Sequence, residues 1–243
     1  MHTNPTALQL KALPLPILLI GSGRAAQHLQ YWNNLLETPH RLLCWDRSQN
    51  LQLLNSYLNQ CTSVWLAITD SAIQSFYNEH LRSPGPSVIH FSGALSDDRF
   101  LCAHPLMSFP KTLLPDEVYA KIHFVISGTK TLNEVLPGFK NKFTVLNTEH
   151  KAFYHALCVL AGNFPQLLWN EVIQETKKLN LPVEALDHYI KQITENFLIL
   201  KEQAITGPIA RNDYDTIEKN ISSLSHTPKL KSIYTTFVKE FSK

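Results

Sequence analysis

The 243-residue sequence predicts an α/β fold, with a doubly wound and mostly parallel sheet followed by an all-α domain. Strand-like apolar segments alternate with helix-like segments up to residue 147. From Glu149 onward strand signals disappear, and apolar residues recur with a helical period of about 3.6. We therefore expect a flexible leader at residues 1–13, a sheet domain at 14–148 and an all-α substrate and dimerisation domain at 149–243.

Six segments of the sheet domain have the apolar composition of buried strands, and helical segments separate the first four. Strands without alternating polar residues are typical of a parallel sheet that is covered on both faces, and right-handed crossovers make such a sheet doubly wound. The predicted strands are Leu15–Ile20, Arg41–Asp46, Ser63–Ile68, Ser87–Phe91, Ile122–Ser127 and Phe143–Leu146, and the predicted helices are Arg24–Leu36, Leu51–Asn59 and Asp70–His80.

The C-terminal half predicts four helices. Lys151–Leu179 forms a long helix that bends at Pro165, and Val183–Ile205 forms a second one. Asp213 is a plausible N-cap for a third helix, and Pro228 opens the last. Aromatic residues on these helices are expected in the core or at a homodimer interface.

The bulk composition excludes several classes of protein. The net charge is +2, and acidic and basic residues are interspersed, so we expect no nucleic-acid partner. No apolar run is long enough to span a membrane, and no secretion signal precedes the first strand. The four cysteines are scattered in apolar stretches, which predicts reduced thiols, no metal site and a cytoplasmic location.

The turn after the first strand has the spacing of a dinucleotide-binding site. Gly21 permits a tight turn, Gly23 lets a pyrophosphate approach the backbone, and Ala26 lets the next helix pack closely. An ordinary glycine-rich turn, or a site for another nucleotide-like ligand such as a methyl donor, remains an alternative. The predicted cofactor contacts in this turn and after the third strand are Gly21, Ser22, Gly23, Arg24, Ala25, Thr69 and Asp70.

The end of the second strand bears on the choice between NAD and NADP. Asp46 lies where a carboxylate binds the ribose hydroxyls of NAD and repels the extra phosphate of NADP. Arg47 and Ser48 suit that phosphate through charge and hydrogen bonding. We favour NADP, with NAD as the alternative and a solvated turn as a third interpretation.

Several polar residues are candidates for chemistry on a small substrate. Lys151 and His155 share a helix face, Asn163 lies broadly on the same side, and His155 is the preferred acid/base. The alternatives are a hydrogen-bonded histidine in the seam between the domains for His155 and an ordinary exposed lysine at a helix start for Lys151. Substrate-binding candidates are Ser92, His104, Thr206 and Arg211, where the arginine offers a planar fork of donors for a carboxylate or phosphate.

Four motifs carry a family resemblance that covers the chain from about Ile17. They are His90-Phe-Ser-Gly93, Ala103-His-Pro-Leu-Met-Ser-Phe109, Lys151-Ala-Phe-Tyr-His-Ala156 with Asn163, and Thr206-Gly-Pro-Ile-Ala-Arg-Asn-Asp213. With the glycine turn, this series resembles the bacterial Rossmann-like family that carries domain of unknown function 2520 (DUF2520). That family is similar in layout to pyrroline-5-carboxylate reductase and to 3-hydroxyisobutyrate and 6-phosphogluconate dehydrogenases.

The resemblance implies an NADP- or NAD-binding fold with a helical, often dimer-forming second domain. In the hydroxyacid dehydrogenases a lysine and an asparagine lie one turn apart on the first helix after the sheet, whereas here His155 follows Lys151 by one turn. From the fold and the cofactor that the resemblance implies, we expect an NADP- or NAD-dependent oxidoreductase that transfers a hydride to or from a C=O or C=N group. A non-catalytic nucleotide sensor that dimerises through its helices is the alternative.

Overall fold

The computed structural model describes residues 16–81 and 85–242 and divides the chain into two compact units. The first unit ends at Asn163 and the second begins at Phe164. The predicted leader at 1–13 lies outside the described residues. The sequence placed the domain boundary near 148, where the sheet ends, but the first unit also includes the next helix.

The first unit contains a seven-stranded sheet in the order β2-β1-β3-β4-β5-β6-β7. Neighbouring strands are parallel except β5 and β6, which confirms the predicted mostly parallel, doubly wound sheet. The strands are β1 (Ile17–Ile20), β2 (Leu42–Trp45), β3 (Ser63–Leu66), β4 (Ser87–His90), β5 (Leu101–Pro105), β6 (Phe124–Ser127) and β7 (Phe143–Val145).

Strand β5 was not predicted as a strand from the sequence. It is five residues long and ends in His104 and Pro105, so it lacks the continuous apolar run of β1 or β3. It pairs in parallel with β4 and antiparallel with β6. The carboxyl ends of β1 to β5 consequently share one edge of the sheet, which is where doubly wound folds bind ligands.

Helices cover both faces of the sheet, as the apolar strands require. Leu18 and Ile20 of β1 are buried on the face with helices α2 (Leu51–Leu58) and α3 (Asp70–His80). Ile17 and Leu19 are buried on the opposite face with helix α1 (Arg24–Asn34), because successive side chains of a strand point to opposite sides. Two short helices follow later in the unit, α4 (Asp116–Tyr119) and α5 (Leu132–Val135).

The predicted long helix at 151–179 is divided in three. Helix α6 (Lys151–Cys158) belongs to the first unit, a π-helical segment follows at Val159–Asn163, and α7 (Phe164–Lys178) begins the second unit. The π-helical segment ends two residues before Pro165, whose ring would clash with a carbonyl of a regular α-helix.

The second unit continues with three more helices, α8 (Val183–Leu200), α9 (Tyr214–Ser223) and α10 (Pro228–Phe241). Helix α8 ends before the predicted Ile205 because Lys201 has a left-handed φ of 53°. None of the residues of α8, all of which the structure describes, is buried. Within the described ranges, no helix is both long and apolar enough to cross a membrane.

Candidate functional site

The exit of β1 makes a close backbone contact with the exit of β3. Gly21 has a φ of +122°, and a Cβ atom added to it would lie 2.3 Å from the carbonyl oxygen of Ala67. Both the backbone conformation and the contact therefore require glycine. The turn brings the β1–α1 loop beside the β3–α3 loop at the carboxyl edge of the sheet.

Gly23 is the N-cap residue of α1, and the reasons that require glycine at position 21 do not apply to it. Its φ of −73° and ψ of −178° suit any residue, and a Cβ atom added to it would meet nothing within 4 Å. Neither strain nor packing within the protein explains this glycine. No side chain forms a capping hydrogen bond at the start of α1, and the first amide groups of a helix have no acceptor within the helix.

A cavity of about 660 Å³ lies at this edge and includes the open space at Gly23. Eight of the ten predicted cofactor contacts line it, namely Gly21, Ser22, Gly23, Arg24, Ala25, Asp46, Arg47 and Thr69. The sequence analysis missed part of its wall, formed by Trp45, Ala72, Phe76, His80, Ser108 and Phe109 among others. The four-residue spacing of Ala72, Phe76 and His80 along α3 was an available signal of one lining face.

The turn after β2 holds Asp46 in local hydrogen bonds. Asp46 Oδ1 accepts from the Ser48 amide at 2.8 Å and from Ser48 Oγ at 2.6 Å. These bonds, with the Ser48 hydroxyl the largest cause, lower the pKa of Asp46. Ser48 is thereby occupied within the turn and does not line the cavity, while Arg47 is exposed and does.

Asp70 and Ser92, predicted as a cofactor contact and a substrate contact, bond to each other. Ser92 Oγ donates to Asp70 Oδ2 at 2.5 Å and accepts from the amides of Ala94 and Leu95 at 3.2 and 2.9 Å. The hydroxyl proton and both lone pairs of Ser92 are thus used inside the protein. The pair joins the loop after β3 to the loop after β4.

Lys151 is buried, contrary to the exposed position that is usual for a lysine at a helix start. Its side chain is only 2% exposed, and Nζ donates to the Ser92 carbonyl at 3.0 Å and to Cys102 Sγ at 2.8 Å. The lysine therefore connects the start of α6 to the loop after β4 and to the start of β5. Its predicted alternative role as a proton donor competes with these two bonds.

His104 and His155 meet over Gly93, at the same edge of the sheet. Their ring centroids are 6.1 Å apart, and a Cβ atom added to Gly93 would lie 2.6 Å from His155 Cδ2 and 3.0 Å from His104 Nε2. A residue larger than glycine would displace both rings. Tyr154, a motif residue to which no role was assigned from the sequence, places its hydroxyl 2.8 Å from His104 Nδ1.

Burial keeps two histidines of this cluster neutral. Burial, followed by the charge of Lys151, lowers the pKa of His90 to about 4. Burial, followed by Lys151 and the neighbouring His155 and His90, lowers the pKa of His104 to about 3. His90 Nδ1 accepts from the Ser92 amide at 3.2 Å, so its proton lies on Nε2.

Asn163 is exposed at the end of the π-helical segment. The angular position assigned to it from the sequence assumed a regular α-helix from Lys151 onward. The wider turn of a π-helix makes that assumption wrong. The rotation of Asn163 about the helix axis relative to Lys151 therefore differs from the predicted one.

Arg211 and Thr206 lie in the second unit, in the loop between α8 and α9. Both are exposed, and backbone hydrogen bonds close the loop, among them Asp213 N–H to the Pro208 carbonyl at 2.9 Å. Asp213 Oδ1 accepts from the Thr216 amide at 3.1 Å and so caps α9 as predicted. Among residues 16–81 and 85–242, no cluster of three His, Cys, Asp or Glu side chains could hold a metal ion.

A family comparison bears on this arrangement. Residues 123–241 match the family described as Domain of unknown function (DUF2520). This match confirms the resemblance stated from the sequence motifs. No curated protein sequence matches the chain at a significant level.

Solved structures share the whole layout at low sequence identity. A provisionally assigned NADP oxidoreductase from Bacteroides fragilis is 19% identical, with a TM-score of 0.74 over 94% of this chain and 98% of its own. A Thermotoga maritima protein is 22% identical, with a TM-score of 0.67 over 93% and 96%. Plasmodium falciparum pyrroline carboxylate reductase with NADP bound is 14% identical, with a TM-score of 0.57 over 95% and 99%. At these identities the likeness establishes the fold.

The lowered pKa of His104 predicts acid sensitivity. The unfolded state takes up a proton at His104 as the pH falls through about 6.5, but the folded state does not until about pH 3. Between pH 7 and pH 5 this histidine should therefore lower the free energy of unfolding by about 2 kcal/mol. Urea titrations of His104→Gln should show a smaller loss over that range, whereas His150→Gln, an exposed control, should match the wild type. Equal losses in all three proteins would refute the assignment.

Proposed function

We propose that this chain, with its DUF2520 domain, is an NADP-dependent oxidoreductase. It would transfer a hydride between nicotinamide and a C=O or C=N carbon of a small, anionic metabolite. The glycine turn, the cavity and the histidine cluster support this proposal. The provisionally assigned NADP oxidoreductase of B. fragilis and the NADP-bound reductase of P. falciparum have the same fold. The cofactor supplies the hydride, and the protein binds, orients and exchanges a proton.

The open space at Gly23 is the observation that carries the proposal. A glycine that no protein contact requires stands at the uncapped N-terminus of an 11-residue helix, inside the cavity. Amide donors and the positive end of the helix dipole favour a phosphate group at that point. A pyrophosphate against the amides of Arg24 and Ala25 accounts for the missing side chain.

The turn after β2 supports NADP over NAD. The hydrogen bonds from Ser48 direct one oxygen of the Asp46 carboxylate into its own turn, while Arg47 is exposed and lines the cavity. A guanidinium can make two charge-assisted hydrogen bonds to a phosphate. Arg47 would hold the 2′-phosphate of NADP, with NAD as the weaker ligand.

His155 is the proposed acid/base, and Arg211 and Thr206 are the proposed substrate anchors. His155 is half-buried at the carboxyl edge of the sheet, where substrates of doubly wound folds bind. Lys151 Nζ donates to the Ser92 carbonyl and to Cys102 Sγ, so its proposed role is to position the loop after β4 and the start of β5. Arg211 is exposed on a closed loop and suits a carboxylate.

A homodimer through the C-terminal helices is a further part of the proposal. Tyr189, Ile193, Phe197 and Leu200 of α8 are 60%, 40%, 51% and 48% exposed. Their spacing of four, four and three residues places them on one helix face. An exposed apolar stripe of this length is typical of an interface, and a second copy of α8 would cover it.

Substitution of Gly23 separates nucleotide binding from folding. Asparagine is a favoured N-cap residue, so Gly23→Asn should leave the free energy of unfolding within about 0.5 kcal/mol of the wild type. Its side chain would occupy the phosphate space, and the Kd for NADPH should rise at least tenfold, or about 1.4 kcal/mol. Calorimetry and thermal unfolding with and without NADPH measure both quantities.

Gly21→Ala is the contrasting variant. Its backbone φ and the Ala67 carbonyl should cost about 2 kcal/mol or more of stability without any ligand. Unaltered NADPH affinity in Gly23→Asn, or failure of the wild type to bind NADPH or NADH, would refute the proposed function.

Replacement of Arg47 tests cofactor choice. Arg47→Gln removes a charge-assisted bond to the 2′-phosphate, so the affinity for NADPH should fall roughly tenfold while that for NADH changes little. Arg41→Gln alters an exposed arginine outside the cavity and serves as the control. Equal losses for both nucleotides would assign Arg47 another role.

Replacement of His155 tests the acid/base assignment. NADPH consumption is first measured with a panel of small keto and imino acids. On any substrate reduced, His155→Gln should lower kcat about 100-fold with little change in NADPH affinity. His150→Gln, at an exposed position before α6, should retain wild-type turnover. Full activity of His155→Gln would exclude the assignment.

Phe197 tests the dimer. Phe197→Glu places a charge in the apolar stripe of α8 and should convert the dimer to a monomer in light-scattering measurements. Gln192→Glu adds the same charge at an exposed polar position of the helix and should leave the dimer intact. A monomeric wild-type protein would refute this part of the proposal.

A further inference from the structure

Tyr154 and His104, which belong to two different sequence motifs, form a hydrogen-bonded pair in the structure. The Tyr154 hydroxyl lies 2.8 Å from His104 Nδ1, and the two rings are nearly perpendicular, at 82° with centroids 5.5 Å apart. One partner lies on helix α6 and the other on strand β5. Both belong to the first unit, so the pair fixes the His104 ring against that helix.

The hydrogen bond has a preferred direction. Burial, followed by the neighbouring Cys158, raises the pKa of Tyr154, so the phenol keeps its proton. His104 is neutral beside Lys151, His155 and His90, and one of its nitrogens therefore accepts. A phenol is a better donor than a neutral imidazole N–H, and an imidazole nitrogen is a better acceptor than a phenol oxygen. Tyr154 thus donates to Nδ1.

The second nitrogen of His104 is left for another partner. No described residue forms a hydrogen bond with His104 Nε2, which faces Gly93 at the carboxyl edge of the sheet. If Nδ1 accepts from Tyr154, the ring proton lies on Nε2. This N–H is then a donor with a fixed direction.

We propose that Tyr154 is a positioning residue that holds His104 in the neutral form with its proton on Nε2, as a fixed hydrogen-bond donor to an acceptor oxygen or nitrogen of the bound substrate. The substrate in this statement rests on the proposed function, whereas the tautomer and its cause do not. His104 would orient the reacting group without gaining or losing a proton.

The experiment measures the tautomer directly in the full-length protein without ligand. Long-range proton–nitrogen NMR spectra of protein labelled at the histidine ring nitrogens distinguish protonated from unprotonated nitrogens, and His104→Gln assigns the signals. In the wild type, Nδ1 of His104 should have the shift of an unprotonated nitrogen and Nε2 that of a protonated one. Both should stay constant from about pH 8 to pH 5, where an ordinary histidine titrates.

Tyr154→Phe removes only the hydroxyl and should move the Nδ1 and Nε2 shifts toward each other as the two tautomers mix. Tyr189→Phe, at an exposed tyrosine of α8, should leave them unchanged. A wild-type ring protonated on Nδ1, or unchanged His104 shifts in Tyr154→Phe, would overturn the proposal. These readings need no nucleotide, so they are independent of the NADPH-binding test of the proposed function.

Discussion

The close approach of two backbone segments at Gly21 and Ala67 sets the geometry of the whole sheet edge. The carbonyl of Ala67 occupies the place of a side chain at Gly21, so the exits of β1 and β3 lie in direct contact. Helix α1 can then begin three residues later, at Arg24, which lines the cavity. The two glycines of this turn therefore have different roles: Gly21 permits the turn, and Gly23 leaves open space at the start of α1.

Hydrogen bonds connect the loops after β3 and β4 at that edge, and Lys151 of α6 joins them to β5. Ser92 links to Asp70 through its hydroxyl, and its carbonyl accepts from Lys151 on α6. A lysine that is 2% exposed has lost its hydration, and hydrogen bonds to protein acceptors offset part of that cost. The charge of Lys151 also affects two histidines, because it adds to burial in lowering the pKa of His90 and His104.

Local signals in the sequence predicted much of this fold, since each depends on a few adjacent residues. The apolar run at β1 and the cap at Asp213 are of this kind, and the structure has both. The misses depend on distant contacts or on a local irregularity. Strand β5 is a strand because β4 and β6 flank it, and the burial of Lys151 depends on Ser92 and Cys102, about 50 to 60 positions away. The predicted rotation of Asn163 about the helix axis assumed a regular helix before Pro165, and the structure has a π-helical segment there.

The surroundings of His104, Lys151 and His155 indicate a different role for each in the proposed reaction. Reduction of a C=O or C=N group requires one proton, and an imidazole that stays neutral down to about pH 3 holds no imidazolium proton to give near neutrality. This consideration excludes His104 as an imidazolium donor but leaves it suited to orient the substrate. Lys151 would have to break its bonds to Ser92 and Cys102 before it could act. We therefore propose His155, which is half-buried beside Gly93, as the group that exchanges a proton at this edge.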